Sequence, residues 1–151
     1  MKWNNTDLEK YIQAKEFIDT VIIPLQPFQI ENDSNLPKEA FQREVLSIFV
    51  NEIEKELSGR VLLIPEFNYL TSNIQNEIEK VNDWIEELNK QPFKTIILMT
   101  YDSGWKKVEN DLTGQLLWLP GIQSGDINSP EMKAIINSQV QQISELIRSY
   151  W

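Results

Sequence analysis

Residues 93–105 read Phe93-Lys94-Thr95-Ile96-Ile97-Leu98-Met99-Thr100-Tyr101-Asp102-Ser103-Gly104-Trp105. The apolar run Ile96–Met99 does not alternate with polar residues, so it reads as a strand covered on both faces. Strands of that kind sit at the centre of parallel sheets with helices on each side. The run ends at Asp102-Ser103-Gly104, a turn-forming triplet. Three other stretches share its character: Asp19–Leu25, Arg60–Pro65 and Gln115–Pro120, each rich in Val, Ile or Leu and each with a proline at or near its end. Proline cannot donate to a ladder, so the first strand is expected to stop pairing on the N–H side of Pro24.

Between these strands the apolar spacing becomes helical. Leu8, Tyr11 and Ile12 follow Thr6, whose spacing to Glu9 matches a capping box. Phe41, Val45, Ile48, Phe49, Ile53 and Leu57 form a second stripe, with Pro37 in the first turn and Ser58-Gly59 as its stop. Ile74, Ile78, Val81, Trp84, Ile85 and Leu88 form a third, with Thr71 or Ser72 as the expected cap. Met132, Ile136, Val140, Ile143 and Ile147 form a fourth, opened by Ser129-Pro130-Glu131. The order α-β-α-β-α-β-β-α predicts a three-layer α/β sandwich, Rossmann-like or flavodoxin-like. Its sheet is expected to be mainly parallel and four-stranded, with helices on both faces. The link before Gln115 leaves the direction of the last strand open. At 151 residues the chain is expected to form a single α/β domain over 1–151.

Composition excludes more than it assigns. Hydrophobic residues make up 41% and charged residues 25%, values that suit a folded chain. No apolar run approaches the ~20 residues of a membrane span. The polar start MKWNNTDLEKY lacks the apolar core of a secretory signal, so the expected location is cytoplasmic. A net charge of −9 without a Lys/Arg cluster disfavours nucleic acid and anionic membranes as partners. The absence of Cys rules out thiolate chemistry, and the absence of His rules out Ser–His–Asp catalysis and the common zinc-hydrolase sites. An enzyme here would have to use carboxylates, Lys, Tyr, Ser/Thr or an oxygen-held metal. No cofactor is expected.

In an open parallel sheet, ligands bind beyond the carboxyl ends of the strands. Those ends carry Gln26, Glu66, Asn68, Tyr69, Thr100, Tyr101, Asp102, Ser103, Gln123, Ser124 and Asp126. The candidate ligand-binding residues are Glu66, Asn68, Tyr101, Asp102, Ser103 and Asp126. Asp102-Ser103-Gly104 also matches the triplet of aspartic proteases, but those enzymes need two such carboxylates on an all-β frame, and ordinary turn chemistry accounts for it. Glu66, Asp102 and Asp126 would hold Mg²⁺ only if the strand order made them converge, and no D-x-D pair supports this, so no metal site is assigned. Gly121–Gly125 lacks the spacing of a phosphate loop. The acidic faces of the second and third helices read as solvated surface.

Five tryptophans are many for this length. Trp84 and Trp118 fall within apolar patterns and read as core. Trp3, Trp105 and Trp151 fall outside any periodicity and are the candidate interaction surface, for an unknown protein partner or for self-association. The simpler alternative is that the two termini pack together.

The set Trp3, Asp7-Leu8, Tyr11, Lys15-Glu16-Phe17-Ile18-Asp19-Thr20 and Ile23-Pro24-Leu25 resembles the YpiF-like family of small uncharacterised proteins from spore-forming Gram-positive bacteria. Leu117-Trp118-Leu119-Pro120 extends the likeness. The resemblance implies a bacterial, cytoplasmic, stand-alone domain and implies no activity, substrate or cofactor. Two functions follow from the residues. The first is a non-enzymatic binding or regulatory domain acting through protein contacts. The second is a small-molecule or nucleotide-like ligand site at the strand ends, with weak carboxylate-based chemistry through Asp102 and Tyr101.

Overall fold

β1 (Thr20–Phe28) is the strand on which both halves of the sheet are built. The structure is a computed structural model and describes residues 1–122 and 124–151. The other elements in chain order are α1 (Asn5–Gln13) before β1, then α2 (Leu36–Glu56), β2 (Val61–Leu63), β3 (Phe67–Leu70), α3 (Ile74–Leu88), β4 (Thr95–Thr100), β5 (Gln115–Trp118) and α4 (Pro130–Ser149). A 3₁₀ segment, Ser103–Asp111, joins β4 to β5. Every ladder is parallel. The order is β2-β1-β4-β5, with β3 paired to the upper part of β1. The α/β sandwich is therefore as expected, with one strand more than the four expected, and the last strand is parallel.

The added strand is Phe67–Leu70. Its four residues alternate buried and exposed directly after Pro65, too short a pattern to separate from a loop by periodicity. β2 and β3 occupy one lane beside β1. Thr20–Ile22 pair with Val61–Leu63, and Leu25–Phe28 pair with Phe67–Leu70. Pairing therefore pauses at Pro24 instead of ending there, and β1 runs on through Pro27 to Phe28.

The amide directions explain why both prolines are tolerated. Thr20 N donates to Arg60 O and Ile22 O accepts from Ile64 N, so even-numbered residues of β1 turn their amides towards the β2–β3 lane. Asp19 O accepts from Lys94 N and Thr95 N, so odd-numbered ones face β4. The missing N–H of Pro24 meets the gap between Leu63 and Phe67. That of Pro27 lies past Thr100, where β4 has ended. Neither proline deprives a neighbour of a bond.

Strand side chains alternate between two cores. Val21, Ile23, Leu25, Ile96, Leu98 and Leu116 pack against α1, α3 and the 3₁₀ segment. Ile22, Val61, Leu63, Ile97, Met99 and Leu117 pack against α2 and α4. The chain leaves β1 through α2 on one face and returns to β4 through α3 on the other, as right-handed crossovers require when the direction of travel reverses. The reversal makes the gap between β1 and β4 the topological switch point.

Several helix ends differ from expectation. Asn4, not Thr6, caps α1, accepting from Asp7 N at 2.8 Å. Thr71–Asn73 form a 3₁₀ turn, and Asn73 precedes α3 without a side-chain cap bond. Ser129 Oγ does accept from Met132 N at 3.1 Å, and Gly59 past the end of α2 has φ +89°, where only glycine sits without strain. At the outer edge of β2, Met1 accepts from Leu63 N through its carbonyl at 2.8 Å, and its amine lies 2.7 Å from Glu54. Among the described residues no helix is long and apolar enough to cross a membrane.

Candidate ligand-binding site

A cleft of about 470 Å³ opens at the β1–β4 switch point. β1 contributes Leu25, Gln26 and Pro27; the first turns of α2 contribute Lys38, Glu39, Gln42, Arg43 and Leu46. Thr71 and Ile74 close it from the start of α3, and Tyr101–Gly104 from the turn after β4. The volume lies in the range of small-molecule pockets, with an apolar floor and polar walls. A wider hollow of about 660 Å³ lies between α3 and Asp111–Thr113. It is lined by one sign of charge, Glu79, Asp83, Glu86 and Asp111, and lies away from the switch point. The switch-point cleft is the better candidate because it carries both signs of charge where the topology directs ligands.

Each wall is held by its own network. On one side Asp102 Oδ2 accepts from the Tyr69 hydroxyl at 2.6 Å and Oδ1 accepts from Gly104 N at 2.9 Å. Asp102 N in turn donates to Thr100 Oγ1 at 3.0 Å. Asp102 thus caps the 3₁₀ segment with both carboxylate oxygens engaged. Burial pushes the Tyr69 phenol well above its ordinary pKa, and the Asp102 charge and hydrogen bond add to that, so Tyr69 remains a neutral donor. Burial raises the Tyr101 phenol as well, and its hydroxyl is buried without a hydrogen-bond partner among the described residues.

On the other side Arg43 reaches Glu66 Oε2 at 2.6 Å and also donates to Asn68 Oδ1. Ser47 Oγ donates to Glu66 Oε1 at 3.1 Å, and the buried Gln26 amide donates to Arg43 O at 3.2 Å. Both Arg43 bonds come from one guanidinium nitrogen, which ties the side chain to Glu66 and to Asn68 of β3. Lys38 has no carboxylate within ion-pair distance among the described residues, so its ammonium is the uncommitted cation of the cleft.

The predicted site residues therefore divide. Tyr101, Asp102 and Ser103 line the cleft, while Glu66 and Asn68 hold its Arg43 wall. Asp126 stands apart, accepting from Asn128 N at 3.0 Å in the exposed turn before α4. The three acids considered for Mg²⁺ do not form one cluster; the described residues hold no group of three acidic side chains placed to share a cation. Gln123 lies outside the described residues. Lys38, Gln42 and Arg43 also line the cleft and are not among the candidates read from the sequence. The signal for them was their position, since the opening turns of the helix after β1 face the switch point in any doubly wound sheet.

The tryptophans correct the expected interaction surface. Trp105 is 0% exposed and packs edge-on against Tyr69, with ring centres 5.1 Å apart, so it is core and not surface. Its position in a polar segment hid this, because a 3₁₀ turn follows neither the helical nor the strand period. Trp151 stacks on Arg60, whose guanidinium carbon lies 3.9 Å from the ring centre, and its Nε1 donates to Thr20 Oγ1 at 2.8 Å. Trp3 remains exposed. Trp84 and Trp118, expected in the core, are half-buried, and Lys106 lies over the Trp118 ring.

Over residues 9–151 the chain matches a family described as "Protein of unknown function (DUF2487)". The "Uncharacterized protein YpiF" of Bacillus subtilis (strain 168) is 28% identical over 151 residues, covering 100% of this chain and 98% of that protein. No solved structure matches the chain.

Proposed function

The chain belongs to the DUF2487 family, and we propose that it is a small-molecule-binding domain whose site is the β1–β4 cleft. The observation that carries this reading is a pocket-sized hollow at the switch point with Lys38 uncommitted on one wall. An anionic group on the ligand would meet that ammonium, while Leu25, Leu46 and Ile74 would take its apolar part. Gln42 supplies an amide able to donate or accept.

Binding suits the cleft better than turnover. The two groups that suggested chemistry are committed or silent, since both oxygens of Asp102 are hydrogen-bonded and the Tyr101 phenol is held neutral by burial. The other reading, through protein contacts, rests on the absence of His, Cys and a catalytic motif and on Trp3, Trp105 and Trp151, and the burial of Trp105 takes one of the three tryptophans from it.

Native mass spectrometry of the purified protein tests the reading. Retention of a metabolite-sized mass by the wild type, lost in Lys38→Ala with the fold intact, is the expected result. A bare protein, together with unmoved cleft amides in NMR titrations with small carboxylates and phosphates, would overturn it.

A further inference from the structure

The cleft does not end where β1 stops pairing with β4. Past Pro27 the chain continues through Phe28 to Ile30, which are 50% and 78% exposed. Leu70, paired in register with Phe28 across the ladder, is 53% exposed. These three apolar side chains line a second hollow of about 490 Å³. Glu39 and Thr71 belong to the walls of both hollows, so the cleft and this groove adjoin along β1.

The groove is built and not merely a loose loop. Gln29 Oε1 accepts from Asn32 N at 2.7 Å, while its Nε2 donates to Asn32 O at 3.1 Å and to Glu39 Oε2 at 2.9 Å. One side chain therefore braces the loop after β1 against α2. Single exposed apolar residues are ordinary, but three adjoining ones on the rim of a cleft mark a contact surface. From the cleft to the groove the lining passes from the Lys38 cation to a patch of Phe28, Ile30 and Leu70 set among polar side chains such as Gln29, Asn32 and Ser72.

We propose that the ligand is a soluble amphiphile, one molecule with an anionic carboxylate or phosphate head at Lys38 and an aliphatic tail over Phe28, Ile30 and Leu70. This rests on the cleft being a ligand site. The shared walls favour a single occupant spanning both hollows over separate occupants of each. Glu31 and Glu39 beside the groove, in a chain of net charge −9, oppose docking on an anionic bilayer. The amphiphile is therefore taken up as a free monomer.

The test is an NMR titration of the full chain with dodecyl phosphate below its micelle concentration, compared with butyl phosphate. Dodecyl phosphate should bind at least about tenfold tighter and shift amides of both hollows. Leu70→Ser and Phe28→Ser should erase most of that advantage while leaving butyl phosphate affinity unchanged, and Lys38→Ala should weaken both probes. Equal affinities for the two probes would overturn the tail and leave the cleft reading standing. Binding confined to the groove and indifferent to Lys38→Ala would overturn the amphiphile in favour of an apolar partner segment. No binding of either probe would overturn this inference together with an anion-recognising cleft, and a metabolite still retained in the native mass spectrum would then preserve the broader reading. Adsorption to phosphatidylglycerol vesicles through Phe28 and Leu70 would overturn the free monomer as its source.

Discussion

The Tyr69 hydroxyl donates to Asp102 Oδ2 at 2.6 Å, and in doing so joins β3 to the turn after β4. β3 and β4 lie on opposite sides of β1, so the bond straddles the central strand, across about 10 Å of sheet. Removing its donor leaves a carboxylate oxygen without its partner beside the cleft. Tyr69→Phe should lower unfolding free energy by about 1–3 kcal/mol, read from the denaturant midpoint at constant slope. The same variant should shift the near-ultraviolet signal of Trp105, whose ring packs against Tyr69. An unchanged midpoint would mean that the straddling bond contributes nothing to stability.

Alkaline pH should unfold this protein earlier than its carboxylates alone would suggest. Burial raises the phenols of Tyr11, Tyr69 and Tyr101, and at Tyr69 the Asp102 charge raises it further. A phenol whose folded pKa lies above its unfolded one favours the folded state fully below about pH 10, the unfolded value, and loses that contribution as pH rises beyond it. Stability should therefore fall steeply above about pH 10, and Tyr101→Phe should flatten the fall. Chemical denaturation from pH 8 to 11 would show it.

Asp19 titrates in the opposite sense. Burial pushes its carboxyl upward, but the Arg60 and Thr20 hydrogen bonds and the Arg60 and Lys94 charges outweigh it, so the net shift is downward. A depressed carboxyl contributes stability above its unfolded pKa of about 3.9 and loses it as pH falls through the lower folded value. Asp19→Asn should cost about 1 kcal/mol near pH 7, a modest figure because Arg60 is partly exposed. The gap between variant and wild type should close below about pH 4. A gap independent of pH would assign the loss to packing instead.

Two tryptophans at polar positions should respond differently to truncation. Trp105→Ala empties a fully buried site and should cost about 3–5 kcal/mol. Trp3→Ala, 56% exposed, should stay within about 0.5 kcal/mol. Thermal unfolding of the pair checks both at once, and equal effects would contradict the packing described.

Sequence periodicity carried the layers and most helices, because Ile96–Met99 and the stripes of α2, α3 and α4 bury whole faces against one another. It failed where a local rule was read without its neighbour. Pro24 was expected to end pairing, but a missing N–H ends nothing when the adjoining strand has no carbonyl to offer at that height. Asn4 and Thr6 both have capping side chains, and only the path of Met1–Trp3 along β2 decides between them. Of the residues that line the cleft, Tyr101, Asp102 and Ser103 were legible because they follow a recognisable strand. Lys38 and Arg43 were not, because their place beside the cleft depends on strand order, a long-range property that no local pattern encodes.

The divided lane beside β1 has one more consequence. β2 and β3 are separate pieces joined by Ile64-Pro65-Glu66, and only β3 pairs with the carboxyl-terminal part of β1. Adding or deleting one residue in that joint would turn Phe67 and Tyr69 out of the core and break the Tyr69–Asp102 bond, while β2 kept its pairing with Thr20–Ile22. The length of that three-residue joint thus sets the phase of β3 separately from that of β2.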